Sequence, residues 1–502
     1  MLLLCVAWIL PGLIGHAPWK GGDGDAFIQF WLAWRGETPA ATVPTLYTWV
    51  AYATAWLTAP LLPLHDGVRL ASGVFIALAL VFVARAGRAL AEDGAAWPVA
   101  LTLLGCLGLL VRGHETNPYT AQFAAAALVF YALALLPRDV RGGWMLAAGS
   151  FLLVLAGGAA EAVVLLGLTL IMPALSPAWR TPGVRRAAWL GAGGGLALTI
   201  AWLAWLDMCG LPLVQALNAA RWGFTPNGYF PGILGWFAWP AWPLAAWAVY
   251  RGRHHWRAPG ILMPLAALVL LLTLYTFSAD PGEEQGLILL LPLALLGGAG
   301  LLTLRRGAAN ALLWFAVMLF GFLGLVFWVY WSAHDFGVPA RLAGRLARLG
   351  MADVGELRPW SLVFGVFVTF AWIVFLARVQ RSPLRPMLVW TAGMTFIWVL
   401  LMALFLGPLD RRLGFETLAA ELRQQVPADA CVEAYALRAQ ASHLLAYHSG
   451  LDFRRVDAGC DWLLVQVRKR GTLPPVSSDW IRRAEIARPN NRDDRFVLYA
   501  RR

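Results

Sequence analysis

The chain has 502 residues, of which 60% are hydrophobic and 14% are charged, and its formal net charge is +12. Soluble domains carry about a quarter charged residues, so this composition excludes an ordinary soluble protein and predicts a polytopic membrane protein. The positive charge does not indicate nucleic-acid binding, because the arginines fall mainly in short loops between apolar segments. There they set topology and face anionic headgroups, so membrane lipids are the expected partners.

Apolar segments recur up to about residue 407 and predict about thirteen transmembrane helices. The first, Leu2 to Ile14, has no basic region and no cleavage site, so we expect a retained signal-anchor helix. Gly157 and Gly158 divide residues 143–175 into two short helices, with one long tilted helix as the alternative. The predicted spans are 2–15, 68–86, 97–112, 120–136, 143–157, 160–175, 187–206, 230–250, 260–277, 286–303, 309–331, 360–378 and 387–407.

Loop charge predicts the orientation of these spans. Arginine-rich turns alternate with loops that hold isolated basic residues, which places the N-terminus in the cytoplasm. An odd number of spans then puts residues 16–66 and the C-terminal tail on the same, outer side. The predicted domains are a transmembrane catalytic domain, 1–407, whose outer loop 16–66 carries two interfacial helices, and an outer domain, 408–502.

The first outer loop carries two carboxylates between glycines, Asp23 and Asp25, followed by aromatic segments typical of the membrane interface. A carboxylate beside the membrane can accept a proton from an acceptor hydroxyl or amine, or hold a divalent ion against a phosphate. The alternative is a pair of solvated loop acids without a catalytic role.

The tail differs in kind from the spans. Helices at 415–425 and 438–449 alternate with strands at 431–435, 461–467 and 496–499, which predicts a small α/β domain. If the first two strands are parallel neighbours, Cys431 and Cys460 meet at one edge, and an oxidising compartment permits a disulfide bond. Two unpaired cysteines are the alternative. The fold class is therefore an all-α polytopic membrane protein with a small C-terminal α/β domain.

The order of a helix, an acidic loop, two interfacial helices, many spans and an outer α/β domain resembles the GT-C membrane glycosyltransferases. The likeness is to the branch of the aminoarabinose lipid A transferases and protein O-mannosyltransferases. In that family the first outer loop carries Asp-Glu-Ala-x-Tyr with a catalytic acid. Gly24-Asp25-Ala26-Phe27 is similar to this motif, and Asp23 is the alternative acid.

A second motif, Val43-Pro44-Thr45-Leu46-Tyr47-Thr48-Trp49, is similar to the family's Lys-Pro-Pro-Leu-x-x-Trp, but it lacks the lysine. Tyr47 within it is a candidate substrate-binding residue. The segment that begins at Phe277 resembles the family's Phe-Ser-x-x-x-Lys-x-x-Tyr-x-x-Pro, with Glu283 and Glu284 in a region that usually carries a lysine.

Two cations are thus missing from a site that the resemblance assigns to phosphate. Three alternatives follow: other cations replace them, a divalent metal held by Asp25 with Glu283 or Glu284 does so, or the donor differs. His114 is a further candidate, for proton transfer or for a hydrogen bond to phosphate. The candidate replacement cations are Lys20, Arg112 and Arg221.

The resemblance implies transfer of a sugar from a polyprenyl-phosphate donor to a lipid, glycan or protein acceptor on the outer face of a bacterial inner membrane. A single displacement is expected, with Asp25 or Asp23 as general base and no required cofactor other than the metal left open above. A transporter or flippase of a lipid-linked sugar is the alternative. It is less favoured because the ionisable residues concentrate at one membrane face rather than at mid-span.

Overall fold

A computed structural model describes residues 1–37, 43, 45–91, 95–212, 222–348, 359–468, 476–487 and 494–502. The chain divides into two compact units. Unit 1 comprises Met1–Ile14, Glu37–Gly321 and Ala371–Trp398, and unit 2 comprises Gly15–Gly36, Phe322–Phe370 and Val399–Arg502. The predicted boundary at residue 407 stays a prediction.

The described residues form a largely helical chain that ends in a small sheet. The helices are α1 Leu2–Ile9, α2 Gly22–Trp34, α3 Leu46–Thr58, α4 Leu64–Leu90, α5 Ala96–Leu104, α6 Leu107–Arg112, α7 Tyr119–Leu135, α8 Gly142–Leu155, α9 Ala159–Leu175, α10 Pro182–Met208, α11 Tyr229–Phe237, α12 Ala241–Gly252, α13 Pro259–Thr276, α14 Leu290–Leu302, α15 Arg306–Asp335, α16 Ala340–Arg348, α17 Pro359–Arg378, α18 Arg385–Leu413, α19 Glu416–Gln425 and α20 Ala439–Ser449. Short 3₁₀ turns occupy Pro177–Trp179, Arg253–His255 and Gln285–Leu289.

Every predicted span contains helix, and three of them are not one continuous helix over the predicted range. Helix α1 has only eight residues. The span predicted at 97–112 is split into α5 and α6, and the one at 230–250 into α11 and α12, which is preceded by Pro240. Residues 143–175 form two helices, α8 and α9, as Gly157 and Gly158 predict.

In the described part of the chain, seven helices are long and apolar enough to cross a membrane: α4, α10, α13, the 3₁₀ turn continued by α14, α15, α17 and α18. Shorter apolar helices are α7, α8 and α9. Helices α7 and α14 are buried along almost their whole length, whereas α17 exposes large apolar side chains such as Trp360, Phe367 and Phe370. A water-soluble protein would not expose such a surface, whereas lipid chains cover it favourably. The chain is a multi-pass membrane protein.

The tail forms a five-stranded sheet in unit 2. Its strands are β1 Cys431–Tyr435, β2 Asp452–Arg455, β3 Trp462–Arg468, β4 Trp480–Ala487 and β5 Asp494–Arg501, in the order β2-β1-β3-β5-β4. Strand β1 pairs parallel with β2 and with β3, while β5 pairs antiparallel with β3 and with β4. Helices α19 and α20 accompany this sheet, so the predicted small α/β domain is confirmed.

The parallel pairing of β1 with β3 brings the two tail cysteines to one edge of the sheet. A disulfide bond joins Cys431 to Cys460, with the Cα atoms 5.4 Å apart. Beside it the buried carboxylate of Glu433 accepts hydrogen bonds from the backbone N–H groups of Asp457, Gly459 and Cys460 at 2.9–3.1 Å. These contacts hold the turn that leads into β3.

Candidate active site

Asp23 and Asp25 lie in the first turn of a helix, whereas the sequence predicts them in a loop. Helix α2 begins at Gly22 after the N-cap residue Gly21, whose φ of +100° favours glycine. Asp23 and Asp25 occupy this first turn, where the helix dipole and the unpaired N–H groups stabilise negative charge. A Cβ on Gly24 would lie 2.7 Å from the carbonyl oxygen of Trp19, so glycine permits this close approach.

The two aspartates differ in environment. Asp23 is 2% exposed, and its Oδ2 accepts a hydrogen bond of 2.7 Å from the backbone N–H of Trp19. Asp25 lies at the surface of unit 2. Partial desolvation raises the pKa of the Asp25 carboxyl, and a hydrogen bond from the Gln440 side chain opposes that rise. Asp25 is therefore the acid that a substrate can reach, and Asp23 is the one that holds the backbone.

Two distant parts of unit 2 hold this acidic turn. At the end of α18, Asp410 accepts a hydrogen bond of 2.7 Å from the indole Nε1 of Trp19, and the backbone N–H of Lys20 donates to the carbonyl oxygen of Leu413 at 2.9 Å. From α20, the Gln440 side chain donates to the carbonyl oxygen of Gly21 at 2.7 Å.

Aromatic packing adds to these polar contacts. The ring of Tyr447 on α20 meets those of Phe27 and Trp31 on α2 edge to face, with centroids 4.8 and 5.8 Å apart. The acids thus stand on a turn that several elements fix. No local sequence pattern predicts the contacts of Asp410 and Gln440, because each lies far along the chain from the turn that it holds.

Arg112 is the centre of an ionic cluster in unit 1. Its guanidinium lies 2.7 Å from a carboxylate oxygen of Glu283, 2.9 Å from one of Glu115 and 3.3 Å from one of Glu284. The side chains are mostly buried, with 19–26% of each exposed. Because three carboxylates surround one cation, the cluster carries a surplus of negative charge. A second anion such as a phosphate is not favoured beside it.

The same cluster shows whether Glu283 and Glu284 can hold a divalent metal. The guanidinium of Arg112 occupies the position between Glu283 and Glu284 that a divalent cation would need. Among the described residues, no group of three or more His, Cys, Asp and Glu side chains is arranged to hold a metal ion. Paired with Arg112, Glu283 and Glu284 do not fit a divalent metal, so we derive no metal-dependent step. The part of Asp25, which belongs to the other unit, stays a prediction.

His114 is enclosed in unit 1, with 2% of its surface exposed. Its ring nitrogens lie 2.8 Å from the carbonyl oxygens of Leu110 and Trp8, and its ring packs against those of Trp8 and Trp398. Burial lowers the pKa of His114, although the two carbonyl contacts act in the opposite direction. A phosphate would have to displace one of these carbonyls to reach the ring.

The other predicted binding residues lie in three different settings. Tyr47 is 3% exposed, and its hydroxyl lies 3.0 Å from the Ser72 hydroxyl, so its side chain packs against α4 and away from the surface. Lys20 is exposed immediately before the N-terminus of α2. Arg221 lies outside the described residues. The binding roles of these three residues stay predictions.

The structure is similar to crystal structures of ArnT from Cupriavidus metallidurans. The match to ArnT bound to undecaprenyl phosphate has a TM-score of 0.67 and 16% identity, and covers 99% of this chain and 96% of that chain. The match to the apo state has a TM-score of 0.68 with the same identity and coverage. An archaeal oligosaccharyltransferase, AglB from Archaeoglobus fulgidus, matches at a TM-score of 0.45 and 9% identity over 93% of this chain and 69% of that chain, too low a likeness to support an inference.

No protein-family model matches the sequence, and no curated protein is significantly similar to it. The relationship is therefore one of fold. The chain has the fold of ArnT, and the fold that its resemblance to the GT-C membrane glycosyltransferases predicts is confirmed.

Proposed function

We propose that this protein is a membrane glycosyltransferase that moves a sugar from a polyprenyl-phosphate donor to an acceptor. One observation carries the proposal. The exposed carboxylate of Asp25 and the buried carboxylate of Asp23 lie in the first turn of α2, which hydrogen bonds hold in place, directly after the first apolar segment. The fold supports it, because ArnT, a protein of the same fold, is known bound to undecaprenyl phosphate.

The reaction is a single displacement at the anomeric carbon of the donor sugar. A hydroxyl or amine of the acceptor forms a bond to that carbon, and the bond from the carbon to the phosphate oxygen breaks. Asp25 takes the acceptor proton, and the polyprenyl phosphate leaves with the electron pair. A raised pKa makes the Asp25 carboxylate a stronger base than an aspartate in water, which suits this role.

Asp23 acts as a positioning residue in this scheme. Its carboxylate holds the Trp19 backbone, and Trp19 in turn contacts Asp410, so the turn that carries Asp25 keeps one orientation. Preorganised placement of a catalytic group is a large part of enzymatic rate enhancement.

The leaving phosphate needs cations, and the surplus negative charge around Arg112 makes that residue the weakest of the predicted ones. Lys20, next to the N-terminus of α2, and Arg221 are the stronger candidates.

The proposed location is the bacterial inner membrane, with the active site and the C-terminal domain on the outer face. The acceptor is a component of the cell envelope: lipid A, another lipid, a glycan or a protein.

The test is the profile of lipid-linked sugars in membranes that contain wild type, Asp25→Asn, Asp23→Asn or the exposed control Asp452→Asn, measured by mass spectrometry. Loss of a general base typically slows a reaction about 10²–10⁴-fold. We therefore expect one polyprenyl-phosphate sugar to accumulate with Asp25→Asn and to be depleted with wild type and with the control. Asp23→Asn should give an intermediate level, because it loosens the turn and leaves the base in place.

No change in any polyprenyl-phosphate sugar across these variants would remove the support for a transferase. The same sugar depleted equally by wild type and by Asp25→Asn would show that the transfer does not use Asp25 as its base.

A further inference from the structure

One end of unit 1, where the connections around α12, α13 and α14 meet, carries basic and aromatic side chains that the proposed reaction does not use. Helix α13 and the segment that ends in α14 are consecutive candidate membrane spans, so Pro259 at the start of α13 and Leu302 at the end of α14 lie at the same membrane face. The indole Nε1 of Trp247 on α12 donates a hydrogen bond of 3.2 Å to the carbonyl oxygen of Thr303, which joins α12 to this end. These side chains therefore lie at the depth of the lipid headgroups.

Two arginines at this end are held on adjacent aromatic rings. The guanidinium of Arg253 lies over the ring of Tyr250, 4.4 Å from its centroid, and donates a hydrogen bond of 2.9 Å to the carbonyl oxygen of the same residue. The guanidinium of Arg305 lies 5.5 Å from the ring centroid of Trp247. The rings of Trp247 and Tyr250 are 5.8 Å apart between centroids. These four residues, which we name the arginine–aromatic cluster, form one series of contacts with a guanidinium at each end.

The arginines of this cluster have no acidic partner. Arg112 pairs with three carboxylates, whereas neither Arg253 nor Arg305 forms an ion pair in the part of the chain that the structure describes. The sequence explains the difference, because residues 208–279 and 285–334 contain no Asp or Glu. The arginine–aromatic cluster therefore presents two cations that the neighbouring elements do not neutralise, and an anionic ligand is the complementary partner.

The ring contacts prepare both guanidinium groups for such a ligand. A free arginine loses side-chain entropy when it binds, whereas stacking on a ring has already restricted Arg253 and Arg305. A guanidinium has five N–H donors, and the hydrogen bond to the Tyr250 carbonyl oxygen engages Arg253 through one nitrogen. Donors thus remain for a bidentate contact with a phosphate. Tyr250 is 54% exposed, so its ring also offers apolar surface at the membrane interface.

We propose that the arginine–aromatic cluster binds a phospholipid with two phosphate groups, one phosphate at Arg253 and the other at Arg305. Two phosphates joined by a short glycerol bridge match two guanidinium groups at the ends of a pair of contacting rings. Basic pockets between transmembrane helices are a recognised form of cardiolipin site. A soluble anion would meet the same arginines but would gain nothing from the exposed ring of Tyr250.

The bound lipid has a structural role and is not a substrate. Arg253 follows the end of α12, and Arg305 lies in the connection between α14 and α15. A lipid that bridges them therefore holds α12 to that connection, in addition to the hydrogen bond between Trp247 and Thr303. The lipid stabilises unit 1 in this way, and the inference does not depend on the proposed function.

The test uses the purified full-length protein in detergent at constant ionic strength, without donor or acceptor. It is titrated with tetraoleoyl cardiolipin, with dioleoylphosphatidylglycerol as the lipid with one phosphate and dioleoylphosphatidylcholine as the lipid without net charge. Bound lipid is counted by native mass spectrometry. The variants are Arg253→Gln, Arg305→Gln and Tyr250→Leu, which changes no charge, with the exposed Arg186→Gln as control. Thermal unfolding without added lipid verifies that each variant is folded.

One basic side chain near an anionic lipid corresponds to about a fivefold change in affinity. We therefore expect cardiolipin affinity to fall about fivefold for Arg253→Gln and for Arg305→Gln, and about thirtyfold for the double variant. Tyr250→Leu should also weaken binding although it keeps the charge, because Arg253 loses its ring, whereas Arg186→Gln should bind as wild type does. Cardiolipin should raise the unfolding temperature of wild type more than that of the double variant.

Three results would overturn the inference. Equal losses for Arg186→Gln and Arg253→Gln would mean that net charge alone attracts the lipid, without a site. Equal affinity of wild type for phosphatidylglycerol and cardiolipin would remove the requirement for two phosphates. Displacement of cardiolipin by inorganic pyrophosphate at the same concentration would remove the requirement for a lipid. Because donor and turnover are absent, these results stand apart from those of Asp25→Asn.

Discussion

Replacement of Arg112 by glutamine separates a structural role from a phosphate-binding one. In the structure this residue is the shared cation of Glu115, Glu283 and Glu284, with contacts of 2.7–3.3 Å. It joins the end of α6 to the segment before α14. Arg112→Gln leaves three carboxylates close together without the guanidinium that now neutralises them. If Arg112 instead served the donor phosphate alone, its loss would slow turnover and leave stability unchanged.

The magnitude follows from the exposure of the cluster. Exposed ion pairs contribute about 0.2–1 kcal/mol each, whereas removal of one partner from a fully buried pair costs about 3–5 kcal/mol. These side chains are 19–26% exposed, so the cost lies between those limits. Three contacts and the repulsion among the remaining acids give an expected loss of about 2–4 kcal/mol in the free energy of unfolding.

The assay is thermal unfolding of the purified protein in detergent, with the exposed Arg186→Gln as control. Addition of Glu283→Gln to Arg112→Gln should recover part of the loss, because it removes one of the repelling charges. An Arg112→Gln protein that unfolds at the temperature of the control would refute this account.

Three further predictions concern the tail. Glu433→Gln should lower the free energy of unfolding of the tail by about 2–3 kcal/mol, because an amide oxygen replaces a charged acceptor of three backbone N–H groups. Chemical denaturation measures this loss, with the exposed Glu421→Gln as control. Serine at Cys431 and Cys460 should cost about 3–4 kcal/mol by releasing a loop of 29 residues, and a reducing agent should then no longer lower the stability. Burial lowers the pKa of His448 to about 4, with a smaller contribution from a nearby arginine. The stability that the neutral, buried His448 contributes is therefore present above pH 6.5 and is lost as the pH falls to about 4. His448→Phe should flatten that part of the unfolding profile.

Hydropathy predicted where helices lie, and it failed where a helix breaks inside an apolar segment. The span predicted at 97–112 is interrupted after α5, at Gly105 and Cys106, because the chain turns there among residues that are themselves buried and apolar. A pattern of apolar residues carries no information on such a turn. Pro240, by contrast, is visible in the sequence, and a proline within an apolar segment predicts a break such as the one between α11 and α12.

In the tail the three predicted strands are β1, β3 and β5, the interior strands of the sheet. The two that were missed, β2 and β4, are its edges. Their sequences, Asp452–Arg455 and Trp480–Ala487, carry several charged residues, as edge strands commonly do. Only one side of an edge strand is paired, so its composition is constrained less strongly. Its sequence is therefore a weaker signal for a strand.

The contacts of Gln440 argue that the tail helps to form the proposed active site rather than only covering the membrane helices. Its side chain accepts a hydrogen bond from the N–H of Gly21 at 3.3 Å and donates one to the carbonyl oxygen of the same residue at 2.7 Å, and it also bonds Asp25. It therefore fixes both the turn that begins α2 and the proposed base. Gln440→Leu keeps the size of the side chain and removes these bonds, so we expect a lower kcat with little change in acceptor KM, and a larger loss than for Ser442→Ala two residues along the helix. Equal turnover by Gln440→Leu and Ser442→Ala would show that Asp25 keeps its geometry without the contacts of Gln440. The tail would then have only a structural role.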